Sequence, residues 1–159
     1  FGTPVEFHGI QCALGTLISI KLYEKIKKIT PERKKAFDYV EKFDFHAWSK
    51  TLREFLGKGA DSMIALEKKE QKYGIESHKR RFEIIAEKWD NILSIIREEL
   101  PSTEELQSLY TKVGLPKTMA EIGLDEEILT LTFKASKDIR DKYVLPRLCW
   151  DLGIIDDII

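Results

Sequence analysis

The sequence predicts an all-α, bundle-like domain of about seven helices. Three observations predict it. Apolar residues recur at intervals of three and four along most of the chain; capping residues, prolines and glycines punctuate these stretches; and no segment of strand length alternates apolar with polar residues. With 159 residues, 43% hydrophobic and 33% charged, the composition suits one globular domain (1–159) whose helices carry salt-rich outer faces, and it excludes a disordered chain.

Taken in order, Leu14, Leu17, Ile18, Leu22, Ile26 and Ile29 mark a long first helix from Ile10 to Ile29, with lysines toward its end where cations complement the helix dipole. Thr30-Pro31-Glu32 places a cap and a proline before a short second helix carrying Phe37 and Val40 and stopping near Phe43. Asp44 caps a third, with Phe45, Trp48, Leu52, Phe55 and Leu56 on one face; Gly57 and Gly59 weaken its middle, and Glu67 to Lys72 form an exposed end. Ser77 opens a fourth, bearing Phe82, Ile85, Trp89, Ile92, Leu93 and Ile96, which Pro101 closes. The third and fourth are expected to form an antiparallel hairpin.

Ser102-Thr103-Glu104-Glu105 starts a fifth helix, and Gly114 has the position of a left-handed C-cap. Thr118 and Glu121 have capping-box spacing, with Gly123 leaving room for one turn. Another helix begins at Asp125-Glu126-Glu127, and the last runs from Asp138 to Leu152, kinked or divided by Pro146 and ended by Gly153.

Composition also narrows function. Twenty-six basic and twenty-seven acidic side chains nearly cancel, so there is no broad positive field to hold nucleic acid or an anionic membrane. Any anion must be met locally. The most apolar run, Ile10 to Tyr23, is interrupted by Gln11, Gly15, Thr16, Ser19 and Lys21 and falls short of the roughly 20 apolar residues that a membrane span needs. Cys12 and Cys149 lack metal-ligand spacing and read as small core residues of a reducing, cytoplasmic compartment.

Of three histidines, His46 reads as the polar side of a helix start and His78 as a solvated first turn. His8 differs, because Gly9 and the small residues Cys12, Ala13, Gly15 and Thr16 would let a ligand or another element approach its helix. Trp48, Trp89 and Trp150 sit among aliphatics at helical spacing and read as core, and Lys79-Arg80-Arg81 reads as a solvated face balanced by Glu83 and Glu87.

The segment Phe7-His8-Gly9-Ile10-Gln11-Cys12-Ala13-Leu14-Gly15-Thr16 resembles the His-Gly segment of sn-glycerol-1-phosphate dehydrogenases, in the superfamily of glycerol dehydrogenase and dehydroquinate synthase. The tracts Leu66-Glu67-Lys68-Lys69-Glu70, Leu100-Pro101-Ser102, Gly114-Leu115-Pro116, Glu121-Ile122-Gly123, Asp138-Ile139-Arg140-Asp141-Lys142-Tyr143 and Trp150-Asp151-Leu152-Gly153 extend the resemblance along nearly the whole chain. Ile10 departs from it, standing where many relatives carry glutamate.

The resemblance implies the helical C-terminal half of a two-domain, dehydroquinate synthase-like fold, whose Rossmann-like N-terminal domain binds NAD or NADP and is absent from this chain. It implies a divalent metal (zinc, nickel or iron) held by one aspartate and two histidines, of which His8 is the only one here. The implied reaction interconverts dihydroxyacetone phosphate and glycerol 1-phosphate, and the chain alone is expected to be inactive. Lys142, and less directly Arg140, are expected to meet the substrate phosphate; a surface ladder pairing Asp138 with Lys142 at i, i+4 is the plainer alternative. A homodimer is a further expected partner state. Two other readings stay open: a glycerol dehydrogenase-like or dehydroquinate synthase-like half, and a non-catalytic interaction domain derived from such an enzyme.

Overall fold

The structure, a computed structural model, describes residues 7–159; the opening residues 1–6 of the expected 1–159 domain lie outside it. The regular elements are α1 (His8–Ile26), α2 (Arg33–Glu41), α3 (Phe45–Leu56), α4 (Ala60–Glu70), α5 (Ile75–Glu87), α6 (Trp89–Glu99), α7 (Thr103–Val113), α8 (Glu127–Ser136) and α9 (Leu145–Asp151), with single 3-10 turns at Gly57–Gly59 and Ala120–Ile122. No strand occurs among the described residues, and the all-helical class holds. Among the described residues the bundle-like expectation holds, with two of the expected helices each cut once to give the nine segments above.

The first cut falls at Gly57, whose φ of 59° lies in the region that favours glycine, so α3 stops there and α4 packs against it. The second falls at Lys88, between α5 and α6, where neither glycine nor proline marks the sequence. The expected hairpin is therefore redrawn: α3 pairs chiefly with α4, and α5 with α2 and α9. The last helix is also shorter than expected. Residues 137–144 form turns, and α9 begins at Leu145 with Pro146 in its first turn, where the missing N–H removes no helical bond.

Contacts gather into two compact units where the sequence reads as one core. The first comprises residues 1–30 and 90–130. In it α1 buries Leu14, Leu17, Ile20, Leu22 and Ile26 and packs with α7, whose Tyr110 hydroxyl donates to the Ala13 carbonyl at 2.7 Å. Glu24 accepts from the Thr103 amide at 2.9 Å, satisfying one of the orphan donors of the α7 N-terminus. At the expected helix start Ser102 and Glu105 form a capping box, and Gly114 is the expected left-handed C-cap with φ 70°.

The second unit comprises residues 31–89 and 131–159. One cluster in it joins Leu52, Ala60, Ile64 and Ala135, flanked by Phe45, Phe55 and Met63. Trp150, fully buried, anchors an aromatic group with Tyr39, Phe43, Tyr73 and His78 packed edge-on around it, at centroid distances of 5.0 to 6.3 Å. Gly153, with φ 68°, lies so close to α2 that an added Cβ would stand 3.0 Å from the Lys35 carbonyl oxygen and 3.1 Å from the Ala36 Cα.

Candidate functional site

His8 opens α1 in the first unit, and its ring is exposed. The imidazole's neighbour is Cys12, one turn on, with Sγ 3.4 Å from Nε2 and 3.9 Å from Nδ1. Cys12 is thus exposed, not a core residue: at i+4 from His8 it shares the solvent face, while Leu14 and Leu17 turn inward. Gly9 and Gly15 have no atom within 4 Å of where a Cβ would stand, and Thr16 is exposed beside them. Among the described residues, nothing covers Gly9 or Gly15 on the small-residue face of α1.

Arg140 and Lys142 belong to the second unit, in the turn between α8 and α9, where both are exposed. The i, i+4 ladder does not exist, because the segment is not helical and Asp138 points inward. Asp138 is fully buried: its carboxylate accepts from Trp48 Nε1 at 2.7 Å, from the Tyr73 hydroxyl at 2.7 Å and from Arg147 Nη2 at 2.8 Å. At the far end of the turn the Tyr143 hydroxyl donates to Asp151 at 2.9 Å, and between them Asp141 pairs with Lys72 at 3.2 Å. Every acidic residue of the turn is thus neutralised, while Arg140 and Lys142 have no ion-pair or hydrogen-bond partner among the described residues.

The interior behind this turn is a connected ionic network that the sequence reading missed. Arg147, 2% exposed, bridges Asp138 and Glu67, donating to the latter at 2.7 Å, and its guanidinium stands 4.8 Å from the Tyr73 ring centroid and 5.4 Å from that of Trp150. Glu67, expected on an exposed helix end, is 1% exposed; burial raises its pKa against the pull of Arg147. Lys137 lies 3.8 Å over the Trp48 ring centroid and donates to the Lys134 carbonyl, and burial lowers its ammonium to about 8 against the pull of Asp138. Asp151, also buried, accepts from Arg81 through both Nε and Nη2 at 2.9 to 3.2 Å.

His78 is likewise buried, not solvated: Nε2 donates to the Asp151 carbonyl oxygen at 3.0 Å, which places a proton on that nitrogen. Burial holds its pKa below the ordinary value. In the Lys79-Arg80-Arg81 run only Arg80 is solvated in the expected way, since Lys79 pairs with Glu41 and Arg81 holds Asp151. The sequence signal for the network is plain in hindsight. Arg147 and Asp151 interrupt an otherwise apolar run from Leu145 to Ile155, and charges in such a run need internal partners.

Chemically, the network is tied by internal bonds and acts as a frame, with Arg147 Nε and Nη1 left without a hydrogen-bond partner among the described residues, while His8 and the Arg140–Lys142 pair face outward. No three His, Cys, Asp or Glu side chains converge to hold a metal among the described residues. No helix among the described residues is long and apolar enough to cross a membrane. Comparison with protein-family models, curated proteins and solved structures gives no match.

Proposed function

We propose that this chain is the metal-and-substrate portion of an NAD(P)-dependent oxidoreductase similar to sn-glycerol-1-phosphate dehydrogenases, acting on dihydroxyacetone phosphate and glycerol 1-phosphate. The observation that carries this reading is the exposed imidazole of His8 at the head of α1, beside a face kept open by Gly9 and Gly15. A structural histidine would be packed and bonded, as His78 is. In the proposed complex His8 supplies one neutral nitrogen ligand, and ligands from a nucleotide-binding half complete the set. A bound divalent ion there polarises the substrate's hydroxyl or carbonyl oxygen.

For the second unit taken by itself, Arg140 and Lys142, whose charges the turn leaves uncompensated, are proposed to meet a phosphate. Arg147 and Asp138 hold that turn in place and do not touch substrate. The reading is tested by assaying the chain with dihydroxyacetone phosphate and reduced nicotinamide cofactor, alone and joined to the nucleotide-binding half, with zinc, nickel or iron supplied. Oxidation of the cofactor by the joined protein, and none by this chain alone, is the expected result. An inactive joined protein that binds both metal and cofactor would reject it.

A further inference from the structure

We infer that Lys72 is a positioning residue for the phosphate site: its ammonium masks the Asp141 carboxylate, which stands between Arg140 and Lys142, so that the turn meets a phosphate with two unspent cations. The inference rests on the reading of that turn as the place where a phosphate is met, and adds a residue that the reading does not contain.

The need for a mask follows from the sequence. Arg140-Asp141-Lys142 sets a carboxylate between two cations, and left free it would repel a phosphate and pair with the very side chains that are to bind one. Lys72 answers it, with Nζ 3.2 Å from Asp141 and 3.1 Å from Glu67.

Lys72 is not an ordinary surface lysine. Its side chain is 18% exposed and is held from the interior by the fully buried Glu67. The ordering cost that weakens most exposed ion pairs is thereby met in advance, and the exposed Asp141 gains a partner already in place. The backbone is fixed as well. The Lys72 carbonyl accepts from Arg81 Nη2 at 2.7 Å, and Gln71, the C-cap of α4, has φ 49°, the only positive φ at a non-glycine residue among the described residues. Such a conformation persists only where its surroundings hold it. Here it ends α4 and brings Lys72 back beside Glu67, while the next residue, Tyr73, donates to Asp138 at the start of the same turn. The connection between α4 and α5 thus grips the turn at two points and leaves Arg140 and Lys142 outside the grip.

The test is a nuclear magnetic resonance titration of the whole chain with inorganic phosphate at constant ionic strength, chloride serving as control, followed at the Arg140 side chain and the amides of the turn. Saturable shifts are expected, weakened by Lys142→Ala. Lys72→Met, which keeps the aliphatic stem, should weaken phosphate binding about three- to fivefold, the worth of one exposed charge pair. Asp141→Asn added to Lys72→Met should restore the parent affinity, a rescue that a merely structural role for Lys72 would not give, and Lys72→Arg should bind as the parent does. If Lys72→Met leaves the affinity unchanged while Lys142→Ala lowers it, or if Asp141→Asn fails to rescue, the mask is overturned and the turn stands as a phosphate site. If phosphate shifts no signal of the turn, both fall. Should Lys72→Met not fold, Asp141→Asn alone decides: a change below about twofold is expected because its charge is already spent on Lys72, and a larger gain in affinity overturns the inference.

Discussion

Arg147 and Asp138 face one another in the interior of the second unit, 2.8 Å apart, with side chains 2% and 0% exposed. The aspartate lies in the turn just after α8 and the arginine in the first half of α9, so their bond closes the turn that presents Arg140 and Lys142. Each has further partners, Glu67 for the arginine and Trp48 and Tyr73 for the aspartate. The aspartate's three donors and the two carboxylates around the arginine offset the burial of these charges, although Arg147 Nε and Nη1 have no hydrogen-bond partner among the described residues.

Breaking this pair from one side should therefore be costly. Asp138→Ala leaves the Trp48 and Tyr73 donors unbonded and Arg147 with less compensating charge, and should destabilise the chain by about 3 to 5 kcal/mol in urea unfolding. Trp48→Phe keeps a smaller ring beneath Lys137 and removes the indole donor with part of the ring's volume, so its cost should be about 2 kcal/mol. Equal costs for the two substitutions would show that Asp138 acts through Trp48 alone.

His78 should make stability fall in mild acid. Its folded pKa lies below the ordinary 6.5, burial being the main cause, with Arg81 and Lys79 adding to it and Asp151 opposing. Below 6.5 the unfolded chain takes up a proton that the folded chain refuses, so the unfolded state gains as pH drops toward the folded pKa. Above 6.5 both states hold the ring neutral and the effect vanishes. His78→Gln, which keeps a donor for the Asp151 carbonyl, should flatten the pH dependence of unfolding free energy in that window relative to the parent chain.

The glycines give a sharp contrast. Gly114 and Gly153 both have φ near 70°, but space beside Gly114 is open whereas a Cβ at Gly153 would press on the backbone of α2. Gly114→Ala should cost about 1 to 2 kcal/mol for the left-handed backbone alone. Gly153→Ala should add crowding of about 1 to 3 kcal/mol to that, measurable in the same denaturant titration.

How far the sequence carries is visible in particular residues. Helical period and caps marked Asp44, Ser102 and Gly114 correctly, because those signals are local and their hydrogen bonds close within a few residues. The break at Lys88 has no local signal. Glu67 and His78 were placed in solvent because partners at Arg147 and Asp151, 80 and 73 positions away, are what bury them. Asp138 misled in the opposite direction, since a helical reading pairs it with Lys142 when its real partner stands nine residues on. For the candidate site, the exposure of His8 agreed with the reading of its small neighbours. Cys12 did not, since an apolar stretch on a helix has two faces and only one of them is inside.

Lys142 and Arg140 separate frame from function most cleanly. Neither has a partner among the described residues and both are exposed, so Lys142→Ala should change unfolding free energy by less than about 0.5 kcal/mol. Under the proposed function, the same substitution in the protein joined to its nucleotide-binding half should raise the KM for a phosphorylated substrate well above any change in that for the nucleotide, because that proposal sets the lost charge against the phosphate and not the cofactor. Adding Arg140→Ala should deepen the defect toward the phosphorylated substrate and leave the nucleotide KM unmoved. Steady-state kinetics with each substrate varied in turn decides the matter, and equal rises in both constants would remove the turn from the substrate site, leaving it as the exposed crest of the Arg147–Asp138 frame.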